Sequence, residues 1–193
     1  MKLVLSSTSP ARRALLDRLG IAFETYSPNI DESPLPSETV QQTVARLARE
    51  KARAAIEDHP KALIIGSDQL ISVQGQVLGK PHTLEKAKQQ LTLCSDTILD
   101  SYTALCVLNS KSGELQETIA PYQVKFKALS PESIERYLKK DQPFMCAGSI
   151  KAESLGPCLF EWMRGDDPNA LTGLPLIQLC DMLRQEGLDV LAA

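Results

Sequence analysis

The sequence predicts an α/β domain in which helices flank a twisted β-sheet. Short apolar runs typical of buried strands alternate along the chain with segments of helical periodicity, and this mixture is the main reason for the prediction. The length of 193 residues fits one domain, since domains usually hold about 100–200 residues. A chain of this size buries a core without disulfides or metals. We therefore expect residues 1–193 to form a single domain.

The first two elements are predicted to be a strand and a helix joined by a polar turn. Residues 3–5 form an apolar run typical of a buried strand. Ser9 is a good N-cap, Pro10 suits the first helical position, and leucines follow at helical spacing until Gly20 ends the helix. The helix therefore begins on hydroxyl groups and arginines.

The next elements are a loop, a long helix and a strand. Three prolines exclude a helix from residues 28–37. A helix is predicted over residues 38–56, and Lys51 falls on its apolar face. The apolar positions of that face are Val40, Val44, Leu47 and Ala55. Residues 63–67 then predict a buried strand that ends at Asp68 and Gln69.

The second half of the chain continues the alternation of strands and helices. We expect a hairpin at residues 73–78, a helix from Thr83 to about residue 93, strands at 98–108 and 114–129, a capped helix from Ser130, a loop or strand mixture at 143–156, and a helix at 174–186.

Composition excludes several classes of function. A net charge of −3 argues against bulk nucleic-acid binding, and no apolar run is long enough to span a membrane. The five cysteines are odd in number and lack CxxC spacing, and the N-terminal apolar run is too short for an export signal. We therefore expect a cytoplasmic protein with reduced thiols. With two histidines in the chain, a zinc site or a Ser-His-Asp hydrolase is not indicated.

The segment from Ser7 to Arg13 is the first candidate site. The N-terminus of a helix offers unpaired N–H groups and a positive dipole end. The hydroxyls and the guanidinium groups of Arg12 and Arg13 add donors that suit phosphate. On these residues alone, a capped helix with solvated arginines is the more common explanation. The P-loop pattern is absent.

Three further positions are candidates, each with an ordinary alternative. Lys51 either faces a wet cleft or extends from the edge of an apolar face. Asp68 follows a buried strand, where open sheets place ligands, but a turn aspartate bonded to its own backbone has the same pattern. Lys80, between Gly79 and Pro81, could present an ammonium group to phosphate.

Two more segments are unusually polar. Asp31 and Glu32 lie in the proline-bounded loop and either hold a metal or form a solvated acidic loop. Lys151 and Glu153 alternate, so an extended strand would place both on one side, and a surface ion pair is the alternative. Taken together, the basic candidates suit phosphates, and Glu32 and Asp68 suit a hard divalent cation and the activation of water.

Seven short motifs, in order along nearly the whole chain, resemble those of the Maf family of nucleoside triphosphate pyrophosphatases. The motifs are Ser7-x-Ser-Pro-x-Arg-Arg, Asp31-Glu32, Leu47-Ala-Arg-Glu-Lys-Ala, Ile65-Gly-Ser-Asp-Gln, Gly79-Lys-Pro, Ala147-Gly-Ser and Gly173-Leu-Pro. Each motif is weak alone, but seven in the family's order are specific.

This resemblance implies a fold like that of inosine triphosphate pyrophosphatases, with a long twisted mixed sheet, flanking helices and two lobes around a central cleft. It implies hydrolysis between the α- and β-phosphates with a divalent cation, Mg²⁺ or Mn²⁺. By position, the resemblance assigns catalysis to Asp68, Glu32 and Lys51, with Asp68 as general base and with Asp68 and Glu32 as metal ligands. The phosphate-binding residues that it implies are Ser7, Arg12, Arg13, Lys51 and Lys80.

Two departures point to a subfamily. The commoner Ser-Pro-Arg-Arg pattern is here Ser9-Pro-Ala-Arg-Arg, and Glu153 stands where commoner members carry glutamine. Both features are similar to the Maf subfamily that hydrolyses 7-methyl-GTP. Since N7-methylated guanine is cationic, a carboxylate complements it better than an amide does. We expect Ala11, Arg12, Gln69 and Glu153 to determine specificity.

Two alternatives remain at this point. One keeps the reaction but makes dTTP or UTP the substrate, and the other is a non-enzymatic nucleotide-binding regulator of cell division. A small nucleotide is the expected partner, without nucleic acid or membrane. The oligomeric state is left open, with a homodimer as one option.

Overall fold

The computed structural model describes residues 1–192 and confirms a mixed α/β fold built on one seven-stranded sheet. The strand order is β2-β1-β3-β5-β6-β7, and β4 pairs with β3 as a hairpin. β1 is parallel to both β2 and β3, whereas β4 and β7 are antiparallel to their neighbours. The strands are β1 (Lys2–Ser6), β2 (Glu24–Tyr26), β3 (Ala62–Val73), β4 (Gln76–Val77), β5 (Ile98–Asn109), β6 (Leu115–Phe126) and β7 (Phe160–Gly165).

The helices begin where capping residues predict. Ser9, Thr83 and Ser130 each accept a hydrogen bond from the backbone N–H three residues later. The long second helix begins at Val40, two residues after the predicted start, because Thr39 is its N-cap and forms a capping box with Gln42. The helices are α1 (Pro10–Asp17), α2 (Val40–Ala54), α3 (Leu84–Cys94), α4 (Pro131–Asp141) and α5 (Leu176–Gln185).

Some elements differ from the sequence prediction. β3 does not end at Asp68 but continues to Val73, because an apolar run resumes after the two polar residues and pairs with β4. β2 and β7 were not predicted: β2 is three largely exposed residues, and β7 lacks strict alternation. Residues 143–156 hold turns and short 3₁₀ segments and no strand.

The chain divides into two compact units, each with its own core. The first unit comprises residues 1–69, 102–120 and the chain from Asp167 onwards. A buried apolar cluster in it joins strands β1, β3 and β5 to helices α1 and α5 through Leu5, Leu16, Ile65, Leu105 and Leu179. That the whole chain acts as one domain stays a prediction.

The second unit comprises Leu70–Ser101 and Pro121–Asp166. Its core includes Leu91, Leu138 and Phe126, and the ring of Phe126 meets that of Phe160 edge to face at 5.1 Å. Within residues 1–192, the helices are all too short or too polar to traverse a bilayer.

Candidate active site

Lys51 lies in the last turn of α2, on the buried face of that helix. Its side chain is 6% exposed, and its Nζ lies 2.6 Å from Asp68 Oδ1 and 2.8 Å from Glu32 Oε1. The two carboxylates explain why a lysine is tolerated on an apolar face, since a buried charge needs a partner. Lys51 therefore has two carboxylate partners within the protein itself.

Asp68 is a buried carboxylate in the middle of β3, not at a strand end as the sequence predicted. Its side chain is 8% exposed, whereas that of Glu32, on the proline-bounded loop, is 59% exposed. The ammonium of Lys51 therefore lies between the buried carboxylate of Asp68 and the accessible carboxylate of Glu32. The three residues predicted to be catalytic are brought together in this way.

Gly66 explains how Lys51 reaches Asp68. A Cβ at Gly66 would lie 2.1 Å from the carbonyl oxygen of Ala48 and 2.9 Å from the amide nitrogen of Ala52, so α2 packs directly on the backbone of β3. Ser6 adds a second link by donating from Oγ to the carbonyl of Lys51 at 2.5 Å. Gly66 belongs to the motif Ile65-Gly-Ser-Asp-Gln, and a glycine inside an apolar strand is a signal in the sequence for such close backbone approach.

Ser7 and Arg12 form the second part of the site. Ser7 Oγ accepts from the amide of Ser9 at 3.1 Å and from Arg12 Nη1 at 3.5 Å. Arg12 Nε donates to the carbonyl of Gly173 at 2.8 Å, which orients the guanidinium. Burial lowers the pKa of Arg12, and the nearby negative charges of Asp68 and Glu32 oppose that decrease. Arg12 is therefore electrostatically linked to the two carboxylates that pair with Lys51.

Other candidates near α1 and β3 have different surroundings. Arg13 is exposed and Ala11 is half-buried in the first turn of α1, so their phosphate-binding and specificity roles stay predictions. Gln69 Nε2 donates to the carbonyls of Ala170 and Leu171 at 3.0 and 2.9 Å. The side-chain amide of Gln69 thus binds two backbone carbonyls, and the role of Gln69 in specificity also stays a prediction.

Lys80 lies in the second unit, in a segment held by α3. Gln90 Nε2 donates to the carbonyl of Gly79 at 2.9 Å, and the amide of Gly148 donates to the same oxygen at 3.3 Å. Ser149 Oγ donates to Gln90 Oε1 at 2.5 Å. Two of the seven motifs, Gly79-Lys-Pro and Ala147-Gly-Ser, are therefore neighbours, and the exposed side chain of Lys80 follows a carbonyl that two hydrogen bonds hold.

Glu153 also lies in the second unit and is exposed; of the loop and the strand that the sequence left open, the structure has a turn. Lys151 Nζ donates to the carbonyl of Asp141 at 2.5 Å, and no Lys151–Glu153 ion pair occurs within residues 1–192. Burial raises the pKa of the Cys146 thiol; the charge of Glu153 adds to that increase and the charge of Lys80 opposes it. Glu153 and Lys80 thus lie within electrostatic range of the same thiol.

The pair of Asp68 and Glu32 is chemically suited to a divalent cation. Within the described chain, no group of three or more His, Cys, Asp or Glu residues could hold a metal by itself. Mg²⁺ is commonly bound by one or two carboxylates together with phosphate oxygens, and the two carboxylates that share Lys51 Nζ match that donor set.

Comparison with known proteins identifies the family. Residues 2–186 match the sequence model of the family described as Maf-like protein. The chain is 52% identical over 188 residues to the 7-methyl-GTP pyrophosphatase of Pseudomonas syringae pv. tomato, covering 97% of this chain and 98% of that protein. It is 51% identical over 189 residues to the 7-methyl-GTP pyrophosphatase of Methylobacillus flagellatus, covering 98% of both.

Among solved structures, the Ham1 protein of Staphylococcus aureus matches with a TM-score of 0.46 at 13% identity, covering 65% of this chain and 72% of that one. The nucleoside-triphosphatase, a dITP/XTP pyrophosphatase, of Mycobacterium abscessus matches with a TM-score of 0.41 at 17% identity, covering 67% and 76%. The family match spans nearly all of the sequence, and the relatives are identical to this chain at about half of the aligned positions. On this evidence the chain belongs to the Maf family.

Proposed function

We propose that this chain is a nucleoside triphosphate pyrophosphatase that converts 7-methyl-GTP and water into 7-methyl-GMP and pyrophosphate. The observation that carries the reaction is the pairing of the buried Lys51 with Asp68 and Glu32, in the same unit as Ser7 and Arg12. The substrate is supported by the relatives named 7-methyl-GTP pyrophosphatase, about 50% identical over nearly the full chain.

Asp68 is the proposed general base. In the reaction, the oxygen of water forms a bond to the α-phosphorus. The bond from the α-phosphorus to the α–β bridging oxygen breaks, and pyrophosphate leaves. The proton of the attacking water passes to Asp68, which must therefore be ionised. Its contact with Lys51 Nζ at 2.6 Å holds the carboxylate in one orientation.

Cationic and donor groups of the first unit bind the phosphates in this proposal. The N-terminus of α1 supplies a positive dipole end, and Ser7 and Arg12 lie beside it. Arg12 is oriented by Gly173, so its guanidinium loses little freedom when phosphate binds. Lys80, which follows the hydrogen-bonded carbonyl of Gly79, is a further proposed phosphate ligand.

Asp68 and Glu32 are the residues that would hold a divalent cation, and such a cation, when bound, neutralises phosphate charge and increases the electrophilicity of phosphorus. Glu32 has the accessible carboxylate of the pair.

Glu153 is the proposed residue of base recognition. Methylation at N7 makes guanine cationic, and an exposed carboxylate in place of a neutral amide adds a charge-assisted contact. Because Lys151 binds the carbonyl of Asp141, the carboxylate of Glu153 is not neutralised by that neighbour.

The test is the release of pyrophosphate from a panel of 7-methyl-GTP, GTP, dTTP, UTP and ITP, each with Mg²⁺ or Mn²⁺, compared by kcat/KM. We expect the highest value for 7-methyl-GTP. A preference for dTTP or UTP would keep the reaction and overturn the substrate. Release from none of the five would leave the chain a nucleotide-binding regulator.

A further inference from the structure

The segment between β7 and α5 supplies carbonyl groups that hold the candidate site. Gly173, with a φ of 103°, accepts from Arg12 Nε at 2.8 Å and from Ser67 Oγ at 2.9 Å. The carbonyl of Ala170 accepts from Gln69 Nε2 at 3.0 Å and from Thr103 Oγ1 at 2.8 Å. The side chains on both sides of Asp68 and the proposed phosphate ligand Arg12 therefore depend on where this one segment lies.

Asp167 begins that segment, and its carboxylate is almost fully buried, with a relative exposure of 1%. Its Oδ1 accepts from the backbone amide of Asn169 at 2.8 Å and from Asn169 Nδ2 at 2.9 Å. Its Oδ2 accepts from the amide of Ile177, in the first turn of α5, at 2.6 Å. The side chain of Asp167 thus connects the beginning of the segment to α5, the helix that follows it.

The bond to Ile177 also replaces a missing cap. The N-cap residue of α5 is Pro175, which makes no side-chain capping bond, so Asp167 satisfies an amide of the first helical turn from outside the helix. A negative charge at a helix N-terminus is stabilised by the helix dipole. Arg18 Nη1 donates to Asn169 Oδ1 at 2.6 Å and fixes the same turn to the end of α1.

From these contacts we infer that Asp167 is a positioning residue for triphosphate binding: it fixes the segment that carries the carbonyl of Gly173, and through that carbonyl the guanidinium of Arg12. It touches none of the reacting atoms. This inference rests on the phosphate-binding role proposed for Arg12. The geometry depends on the two carboxylate oxygens of Asp167, because each of them accepts from an N–H group and an amide offers only one such oxygen.

The test is a double-mutant cycle between Asp167 and Arg12. Asp167→Asn places an NH₂ group against a backbone or side-chain N–H, so the segment has to shift. We expect kcat/KM to fall on the order of 10–100-fold, as is common when a substrate-positioning group is misplaced. Most of this fall should come from a higher KM, and the inhibition constant of inorganic pyrophosphate should rise as well. In an Arg12→Ala background we expect Asp167→Asn to cost under about 3-fold, because the interaction through which it acts is gone.

A stability control distinguishes positioning from general weakening of the fold. Ser130→Ala removes the cap of α4 in the second unit and destabilises the protein without touching the segment. It should leave kcat/KM unchanged in both backgrounds. If Asp167→Asn lowers kcat/KM by the same factor with and without Arg12, Asp167 acts only on stability and the inference is wrong.

Two further measurements keep the inference testable. Should Asp167→Asn fail to fold, Asn169→Ala removes one contact of Asp167 and the contact of Arg18, and its smaller loss must likewise vanish in the Arg12→Ala background. Should the wild type release no pyrophosphate from any nucleotide, the proposed function fails, and the cycle is measured as binding of the α,β-methylene analogue of 7-methyl-GTP. Equal binding by wild type and Asp167→Asn, or no binding by either, overturns the inference.

Discussion

Replacing Asp68 by asparagine separates the chemistry of this carboxylate from its place in the fold. The amide has nearly the same size and keeps one acceptor oxygen for Lys51 Nζ, which lies 2.6 Å from Asp68 Oδ1. It cannot take a proton from water. A general base contributes about 100–10,000-fold to rate, so kcat should fall by that factor, which corresponds to about 3–5 kcal/mol of transition-state stabilisation.

The same substitution should change stability much less than activity. A hydrogen bond to a charged group is worth roughly 1.5–3 kcal/mol and a neutral one about 1 kcal/mol. Lys51 keeps the carboxylate of Glu32 at 2.8 Å, so the ammonium is not left unpaired. We therefore expect the free energy of unfolding to fall by about 1 kcal/mol, or ~2–4 °C in Tm for a chain of this size.

The measurements are pyrophosphate release from 7-methyl-GTP and thermal unfolding followed by circular dichroism. Asp96→Asn is a matched control, because Asp96 Oδ1 also lies 2.6 Å from a lysine, Lys125, but its side chain is 74% exposed. This control should retain wild-type kcat. Turnover by Asp68→Asn within a few-fold of wild type would remove Asp68 from the chemistry and refute the reasoning.

Three other substitutions test separate parts of the site. Lys51→Ala should raise KM and lower kcat and also destabilise the fold by about 3–5 kcal/mol, because a buried carboxylate loses its cation; higher thermal stability with unchanged kinetics would contradict this. Glu153→Gln should reduce the preference for 7-methyl-GTP over GTP by roughly 3–10-fold in kcat/KM, because a neutral hydrogen bond is about 1 kcal/mol weaker than a charge-assisted one. Equal changes for both substrates would show that Glu153 does not contact the base. Gly66→Ala should prevent α2 from packing on β3, since its Cβ would lie 2.1 Å from a backbone oxygen; kcat and Tm both fall, and a variant with wild-type values of both would refute the packing argument.

The sequence by itself determined the local elements. The strand at β1, the caps at Ser9, Thr83 and Ser130 and the buried face of α2 follow from apolar spacing and from side chains that bond their own helix terminus. These interactions connect residues a few positions apart, so their spacing along the chain encodes them. For the same reason the short strands β2 and β7 were missed, because they are defined by their neighbours in the sheet and not by a pattern of their own.

The sequence also indicated which residues could carry chemistry but not what each one contacts. Lys51 was recognised because it interrupts an apolar face, and Asp68 because it follows an apolar run. The alternation of Lys151 and Glu153 left a loop and a strand both open, and the structure has a turn that Lys151 and Ser154 tie to Asp141. A periodicity of two residues is necessary for a strand but does not supply the neighbouring strand that it needs.

Only the tertiary structure decided the partners. Lys51 meets Asp68 because Gly66 lets α2 approach β3, and Arg12 meets Gly173 across 161 positions of the chain. Such contacts are formed when whole elements pack together. The free energy of this packing is distributed over the core, so it cannot be inferred from any short segment of the sequence. Asp167 shows this most clearly: in the sequence it is one of two adjacent aspartates before a proline, and only its burial against Asn169 and Ile177 distinguishes it from Asp166.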